Sequence, residues 1–483
     1  MNKEKKDVLS GVFWKFSERM AAQIVSLIVS VILARLLSPS EYGAISLVTV
    51  FITIANVFVT SGFGAALIQK KEADNVDFST VFYFSLVFST ILYGILFVFA
   101  EPIANFYNMP ILKPVLRVLS LSIIIMGINS VQQAYVSRKM IFKKFFYATS
   151  IGTIISAIVG ISMAYLGFGV WALVAQTLTN NIIGTIVLQV TIDWRPMCVC
   201  SFRRLKSLFK YGWKLLVQSL ILQIYSSLRS LIIGKVYTAA DLAFYTKGNQ
   251  FPDLISTNID TAINSALFPA MSKEQDSIDR VKAMARKTTQ VTSYIMNPIL
   301  IGFMAVAEQF ISLLLTDKWL PAVPYLRICC IILLFRAPQT SILQAIKAVG
   351  RSDSVLKVDF PIRIFALIVL TISIRFGIIY LALSEILVTI LGTFLYAKMA
   401  NRIINYNGKE VCLDFIVNTM LATIMGTIVW WIGEKLVCHN ILVMIIQIIL
   451  GACIYLILSI VTRNSSFKYV LDTTKEIITK NRK

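Results

Sequence analysis

Residues 34–45 read ARLLSPSEYGAI, and residues 234–245 read GKVYTAADLAFY. An apolar helix ends on a cation, Arg35 in one and Lys235 in the other. A turn follows with a hydroxyl (Ser38, Thr238) and, three residues later, an acid (Glu41, Asp241); a new apolar helix then opens with a small residue and an aromatic close by. The echo continues at the same offset, where Ala66-Leu67 in GFGAALIQ matches Ala266-Leu267 in INSALFPA. An apolar chain that repeats itself over this distance has duplicated a bundle of spanning helices, an organisation that places a substrate path at the join. Transport is therefore the first activity to consider.

Composition supports the membrane assignment. The chain has 483 residues, of which 57% are hydrophobic and only 15% charged, and its mean hydropathy is +0.76. Soluble domains are far more charged. Apolar runs of about 20 residues recur along nearly the whole length, each able to cross the hydrocarbon layer as a helix. Barrel strands alternate over about 10 residues instead, so a β-barrel is not expected. No cleavable leader is visible, and the first apolar stretch reads as the first span. The net charge of +21 does not point to nucleic acid, because the basic residues lie in loops between spans, where they set orientation. Seven cysteines and a solitary histidine, His439, show no ligand spacing. No metal site, disulfide framework or cofactor is expected.

The pattern predicts an all-α integral membrane protein with spans near 11–36, 43–68, 78–100, 115–137, 147–166, 169–191, 210–235, 241–270, 290–315, 322–347, 356–375, 377–398, 413–433 and 440–462, about fourteen in all. Roughly 31 Lys and Arg fall on the termini and even-numbered loops against roughly 6 on the odd loops, which puts both termini in the cytoplasm. The repeat extends through Trp14-Lys15 and Trp213-Lys214, through Pro114, Leu116 and Arg117 against Pro324, Leu326 and Arg327, and through Phe168-Gly169-Val170 against Phe376-Gly377-Ile378. Six spans per copy give the halves the same orientation, a parallel repeat about an axis along the membrane normal. The division expected is 1–200 for the N-terminal lobe, 201–400 for the C-terminal lobe, and 401–483 for two additional spans with a basic tail.

Polar residues inside the spans are the informative ones. Span two carries Ser46, Thr49, Thr53, Asn56 and Thr60 on one helical face, which reads as hydrogen-bonding glue between helices or as a cavity wall. Span eight, its repeat mate, carries Lys247, Gln250, Asp253, Thr257, Asp260 and Asn264. Two carboxylates near mid-bilayer are costly unless they face water or a cation, so Asp253 and Asp260 are expected to line a cavity. Arg336 lies near the centre of span ten just before Pro338, which should kink it. Glu385, Arg229 and Arg363 also fall within spans, whereas Arg19 and Glu18 sit where snorkelling suffices. A structural ion pair of Arg336 with Glu385 or Asp260 is the alternative to a role in substrate or ion handling. Asp359-x-Pro361 and Glu308 read as span-end punctuation, and Trp171, Trp319, Trp430 and Trp431 as interfacial anchors.

The runs LARLLSPSEYGAISLV, GFGAALIQKKEADNVDFSTVFYFS and PIANFYNMPILKPVLRVLS resemble the Wzx-type polysaccharide flippases. More narrowly they resemble the colanic-acid-exporter-like branch of the superfamily that also contains the multidrug MATE exporters. The resemblance implies fourteen helices, two six-helix lobes around a central cavity, and transfer of undecaprenyl-diphosphate-linked oligosaccharide to the outer leaflet of the bacterial inner membrane. A diphosphate crossing an apolar region needs cations, for which Arg19, Arg229 and Arg336 are candidates, with Arg363 a further cavity candidate. Sugar hydroxyls need amides and hydroxyls, as Thr53, Asn56, Asn258 and Asn264 supply. Asp253, Asp260 and Glu385 are candidates for coupling to an ion.

The implied partners are the lipid-linked oligosaccharide and membrane lipids, with a functional link to a polysaccharide polymerase and glycosyltransferases; no nucleic acid is expected. The nearest rival is a MATE-like exporter of small organic molecules, which predicts a cavity dominated by carboxylates and aromatics. A membrane enzyme is disfavoured by short outer loops and the lone His439, and no catalytic residue is assigned.

Overall fold

The computed structural model describes the backbone of residues 3–61, 63–70, 73–436 and 439–481; within these, side-chain surroundings are described except at 3–13, 15–19, 63, 65, 69, 211, 266, 473, 474 and 477–481. The described residues contain helices and connecting turns and no strand. In chain order the first helices are α1 (Lys3–Leu36), α2 (Pro39–Thr60), α3 (Phe63–Gln69), α4 (Asn75–Phe106), α5 (Leu112–Leu119), α6 (Leu121–Lys139), α7 (Phe142–Tyr165), α8 (Val170–Thr191) and α9 (Phe202–Val236). They are followed by α10 (Ala239–Lys273), α11 (Ile278–Ala305), α12 (Ala307–Leu315), α13 (Val323–Leu334), α14 (Arg336–Ala348), α15 (Ser352–Ser373), α16 (Ile378–Ile404), α17 (Gly408–Lys435), α18 (Asn440–Val461) and α19 (Ser465–Asn481).

The repeated turn is a repeated helix start. At α2 the Ser38 N–H donates to Glu41 Oε2 at 2.7 Å and the Glu41 N–H donates to Ser38 Oγ at 3.4 Å. At α10 the Thr238 N–H donates to Asp241 Oδ2 at 3.1 Å and the Asp241 N–H donates to Thr238 Oγ1 at 3.2 Å. Each hydroxyl–acid pair thus satisfies two backbone donors that a helix start otherwise leaves open. The two turns also touch. A Cβ added to Gly43 would fall on the backbone carbonyl of Ala239, so no other residue fits there without moving the chain.

Among the described residues, ten helical stretches are long and apolar enough to cross a membrane, with Leu112–Lys139 and Asp317–Ala348 each counting as one, and the pair α11–α12, bent by 69°, makes an eleventh. Three others stand outside that set. In α1 the described apolar part is short (Met20–Leu36). In α10 and α15 the polar residues that the sequence reading singled out, among them Asp253, Asp260 and Arg363, lower the hydropathy or add charge. Apolar length thus gives ten or eleven spans, short of the expected fourteen. The chain is a multi-pass, all-α membrane protein.

Several expected spans are broken. The stretch 43–68 becomes α2 and α3, 115–137 becomes α5 and α6, 290–315 becomes α11 and α12, and 322–347 becomes a 3₁₀ turn, α13 and α14. The basic tail is helical: α19 packs on α11, where the Lys287 ammonium sits 3.9 Å from the Tyr469 ring centre.

The chain divides into two compact units, Met1–Ala243 and Phe244–Lys483. In the first, α9 packs against α2, α3 and α4, although by the repeat it opens the second copy. The core here gathers Leu67, Phe78, Val81, Val131, Leu188, Ile192 and Trp194. α7 packs along α8. Ala148, Gly152, Ser156, Gly160 and Ala164, buried on α7, recur every fourth residue, the small-residue stripe that lets two helix backbones approach in a membrane. A Cβ on Gly160 would lie 2.8 Å from Gln176 Cβ, and one on Gly152 would lie 3.1 Å from the Asn180 carbonyl oxygen. Gly160→Ile is accordingly expected to destabilise the protein by about 1–3 kcal/mol through overpacking. Thermal unfolding in detergent measures this, and Gly167→Ala, where a side chain meets open space but positive φ strains the backbone, separates conformational cost from packing cost.

At the ends of α3, α4, α6 and α9 a charged cluster closes the first unit. Asp77 is fully buried; it accepts from Lys70 Nζ at 2.6 Å and from the Asp74 N–H at 3.1 Å, with Arg204 Nη1 3.4 Å away. Arg138 donates to the carbonyls of Leu67 and Lys70 at the end of α3. The Arg204 guanidinium, first, and the Asp77 N–H hold the Asp74 carboxyl down to about 2.

The second unit has its core around Met271, Val281, Ala285, Ile342, Ile346, Ala400 and Tyr406. Trp319, expected at an interface, is instead fully buried, edge-on to Phe244. It lies in the 3₁₀ turn Asp317–Ala322, which folds the ring back into the protein. Trp430 and Trp431 are exposed, as an anchoring role requires.

Candidate functional site

α10 carries the span-eight stripe, and α14 meets it. Pro338 has no N–H and its ring crowds the carbonyl four residues earlier, so α13 stops at Leu334 and a new helix starts at Arg336. The break places Arg336 on the first residue of α14, where it forms an ion pair with Asp260. The Asp260 side chain is 7% exposed and that of Arg336 is 40% exposed. Neither Asp260 oxygen has another hydrogen-bond partner among the described residues, and the buried Ser256 hydroxyl, one turn earlier, has none either. Asp253 lies on the same helix within electrostatic range of both Arg336 and Glu385, which α16 supplies. Buried Cys329 of α13 feels the same three charges.

Two further polar links hold α14 in register. Gln344 Nε2 donates to Asn264 Oδ1 at 2.9 Å, and Gln339 Nε2 donates to Thr393 Oγ1 at 2.8 Å on α16. Thus α10, α14 and α16 present one arginine and three carboxylates to a common region of the second unit. If all are ionised, three negative charges against one positive leave an excess of two. Such a cluster attracts cations or protons, and it holds its arginine in an ion pair until something else neutralises the acids. Among the described residues, no three carboxylate, thiol or imidazole groups converge closely enough to share a metal ion.

The other expected residues lie elsewhere. Asn56 sits half-buried on α2 in the first unit, its Oδ1 without a hydrogen-bond partner among the described residues. Around it Thr53 donates to the Val50 carbonyl at 2.9 Å and Thr60 to the Asn56 carbonyl at 2.8 Å, so these hydroxyls are satisfied by their own helix. Arg229 is half-buried on α9, also in the first unit. Arg363 is half-buried on α15, one turn beyond Asp359. Asp359 does more than punctuate the span end: it accepts a hydrogen bond from Tyr396 of α16. Glu308, likewise, pairs with Arg327 at 3.0 Å. The side chain of Arg19 lies outside the described residues.

Residues 32–324 match the family described as polysaccharide biosynthesis protein. The chain belongs to this family. Among curated relatives, it is 23% identical to the succinoglycan biosynthesis transport protein ExoT of Rhizobium meliloti (strain 1021), over 97% of this chain and 96% of that one. It is 22% identical to the lipopolysaccharide biosynthesis protein WzxC of Escherichia coli (strain K12), over 84% and 83%. Among solved structures, the lipid II flippase MurJ in an inward closed conformation superposes with a TM-score of 0.74 at 16% identity, covering 94% of this chain and 99% of that one. An inward-facing multidrug resistance MATE family transporter gives 0.59 at 15% identity, over 79% and 95%. This member of the polysaccharide biosynthesis family therefore shares its fold with transporters of both kinds.

Sequence reading missed the tightest polar knot in this family member. Asp414 of α17, with 4% of its side chain exposed, accepts from Arg286 Nε at 2.8 Å and Nη2 at 3.1 Å, from Gln290 Nε2 at 2.6 Å and from Tyr406 Oη at 3.0 Å. The signal was present: a lone carboxylate inside span thirteen and an arginine one turn ahead of span nine. Spans thirteen and fourteen have no repeat mate, so a comparison of polar residues between the two copies does not reach them.

Proposed function

We propose that the protein is a flippase that moves undecaprenyl-diphosphate-linked oligosaccharide, a capsule, exopolysaccharide or O-antigen repeat unit, across the bacterial inner membrane. The reading is supported by family membership, by relatives named for transport and biosynthesis of polysaccharides, and by the fold it shares with a lipid II flippase. The lobes are 1–200 and 201–400, with 401–483 added, and both termini face the cytoplasm as the Lys and Arg distribution requires. The cycle is alternating access by rocking of the two lobes. Lipid-linked oligosaccharide and membrane lipids are its partners, a polymerase and glycosyltransferases act before or after it, and the protein performs no chemistry on its cargo.

The observation that carries the mechanism is the ion pair of Arg336 with Asp260 beside Asp253 and Glu385. While the acids are charged, Arg336 is held by Asp260. A proton or monovalent cation that neutralises the acids releases the guanidinium, which can then hold a diphosphate with two parallel N–H donors. Uptake of the coupling ion and capture of the anion are thereby linked by charge balance in one cluster. Arg229 and Arg19 supply further positive charge, Asn56 and Asn264 contact sugar hydroxyls, and Arg363 lies along the same route.

The test uses Asp253→Asn, Asp260→Asn and Glu385→Gln in a strain lacking the chromosomal copy. Without the gene, lipid-linked oligosaccharide stays on the cytoplasmic leaflet. Each amide variant is expected to lower export at least tenfold and to flatten its dependence on an imposed ion gradient. Three variants that flip normally across a pH gradient would end the coupling scheme, and normal export in the deletion strain would end the flippase reading. The excess of acids over Arg336 also suits a MATE-like exporter of small organic cations. Resistance to such cations that disappears with Asp253→Asn, with oligosaccharide export intact, would favour that second reading.

A further inference from the structure

The second unit has a concave basic groove well away from the Asp260 cluster. It is a cavity of ≈ 460 Å³ between the start of α15 and the end of α16. Ser354, Lys357, Val358 and Pro361 line it from α15, spaced along one helical face; Leu395, Lys398, Met399, Arg402 and Ile403 line it from α16. Its floor is apolar and its rim carries three cations. Lys357 is 78% exposed, with the Asp353 carboxylate a distant 3.8 Å away. Lys398 and Arg402 are exposed and form no ion pair among the described residues. Pro361 leaves the Lys357 carbonyl without its helical donor, adding an acceptor at the same rim. The Asp359–Tyr396 hydrogen bond ties the two helices together about half a turn further in from Lys357 and Lys398.

Toward mid-membrane the groove runs out onto bare apolar surface. Phe360 and Ile364 on α15 are 69% and 44% exposed, and Leu387 and Phe394 on α16 are 57% and 64% exposed. A ligand that matches both regions has an anionic head and long hydrocarbon chains. Basic pockets between spanning helices at the cytoplasmic surface are suited to such lipids, and the volume is that of a small-molecule site. The lining offers a glycan only the Ser354 hydroxyl and no amide, so the sugar-bearing cargo fits poorly.

We propose that the groove between α15 and α16 is a binding site for an anionic glycerophospholipid of the cytoplasmic leaflet, with its phosphate among Lys357, Lys398 and Arg402 and its acyl chains along Phe360 and Phe394. It rests on the orientation given under the proposed function and is independent of the cargo.

Native mass spectrometry of the full chain in detergent, titrated with phosphatidylglycerol and with phosphatidylcholine, tests it. Phosphatidylglycerol is expected to bind one per chain and phosphatidylcholine far more weakly. Each cation removed is expected to weaken binding about fivefold, so Lys398→Gln with Arg402→Gln should lower affinity about 25-fold. Lys206→Gln with Lys210→Gln, exposed basic residues of α9 that do not line this groove, should leave it unchanged. An unchanged thermal midpoint confirms that the groove variant folds. The proposal is overturned by equal retention of the two lipids, by unaltered phosphatidylglycerol affinity in the groove variant, or by an undecaprenyl diphosphate that displaces the phospholipid and is itself lost in that variant.

Discussion

Arg336→Ala is expected to lower stability by about 3 kcal/mol and to abolish export, whereas Asp260→Ala costs clearly less. The asymmetry follows from exposure. Removing the guanidinium strands a carboxylate that is 7% exposed and has no second partner among the described residues. Removing the carboxylate strands a guanidinium that is already 40% exposed and can turn toward solvent or cargo. A buried charge without its partner is the costly state, while a pair replaced together by apolar groups is close to neutral. The double variant Arg336→Leu with Asp260→Leu should therefore recover most of the lost stability and none of the transport. Thermal unfolding and an export assay, run on the single and double variants as a cycle, separate the two effects. Equal destabilisation by the two single variants would show that the pair does not carry the load in the way its burial implies. Lysine at 336 keeps the charge but not the planar pair of donors, so Arg336→Lys should fold normally and transport poorly.

Asp414→Ala is the second large effect, about 3–4 kcal/mol by the cost of stranding buried donors. The carboxylate accepts from Arg286, Gln290 and Tyr406 together. Its loss leaves these donors unsatisfied, at about 1–3 kcal/mol for each fully buried one, and Arg286, with 37% of its side chain exposed, contributes at the low end. Asp414→Asn keeps the shape but turns an N–H₂ toward a donor, so an intermediate loss is expected. The readouts are a thermal midpoint lowered by several degrees and faster proteolytic cleavage in the link 405–407, since the knot fastens α17 to α11. Cleavage and midpoint at wild-type values would contradict the assignment.

Much of the fold was legible because its signals are local. The apolar runs stand out from the order of residue types alone, and the repeated turn is a capping box in both copies, recognisable from a hydroxyl followed three residues later by an acid. The stripe on α10 was legible for the same reason, since Asp253, Asp260 and Asn264 recur at helical spacing. The pairing of Arg336 was narrowed to Glu385 or Asp260, and the structure selects Asp260. The breaks were harder. Pro338 announces the one at Phe335, but the 69° bend between α11 and α12 has no proline at the joint, Pro298 lying two turns earlier. Trp319 was misplaced because nearness to a span end does not say whether a turn faces lipid or folds inward. Apart from Tyr406, eight residues away, the knot at Asp414 needs partners 124–128 residues distant, which no local pattern encodes.

That separation has a consequence in time. Arg286 and Asp414 are 128 residues apart, and a ribosome adding about 5–20 residues per second needs on the order of ten seconds to make the interval. For that period α11 sits in the bilayer with its arginine waiting, while further membrane segments are threaded past it. The protein thus completes its second half only when its last-made helices arrive, and a chain that stalls before residue 414 advertises its incompleteness as an unneutralised charge at the membrane surface.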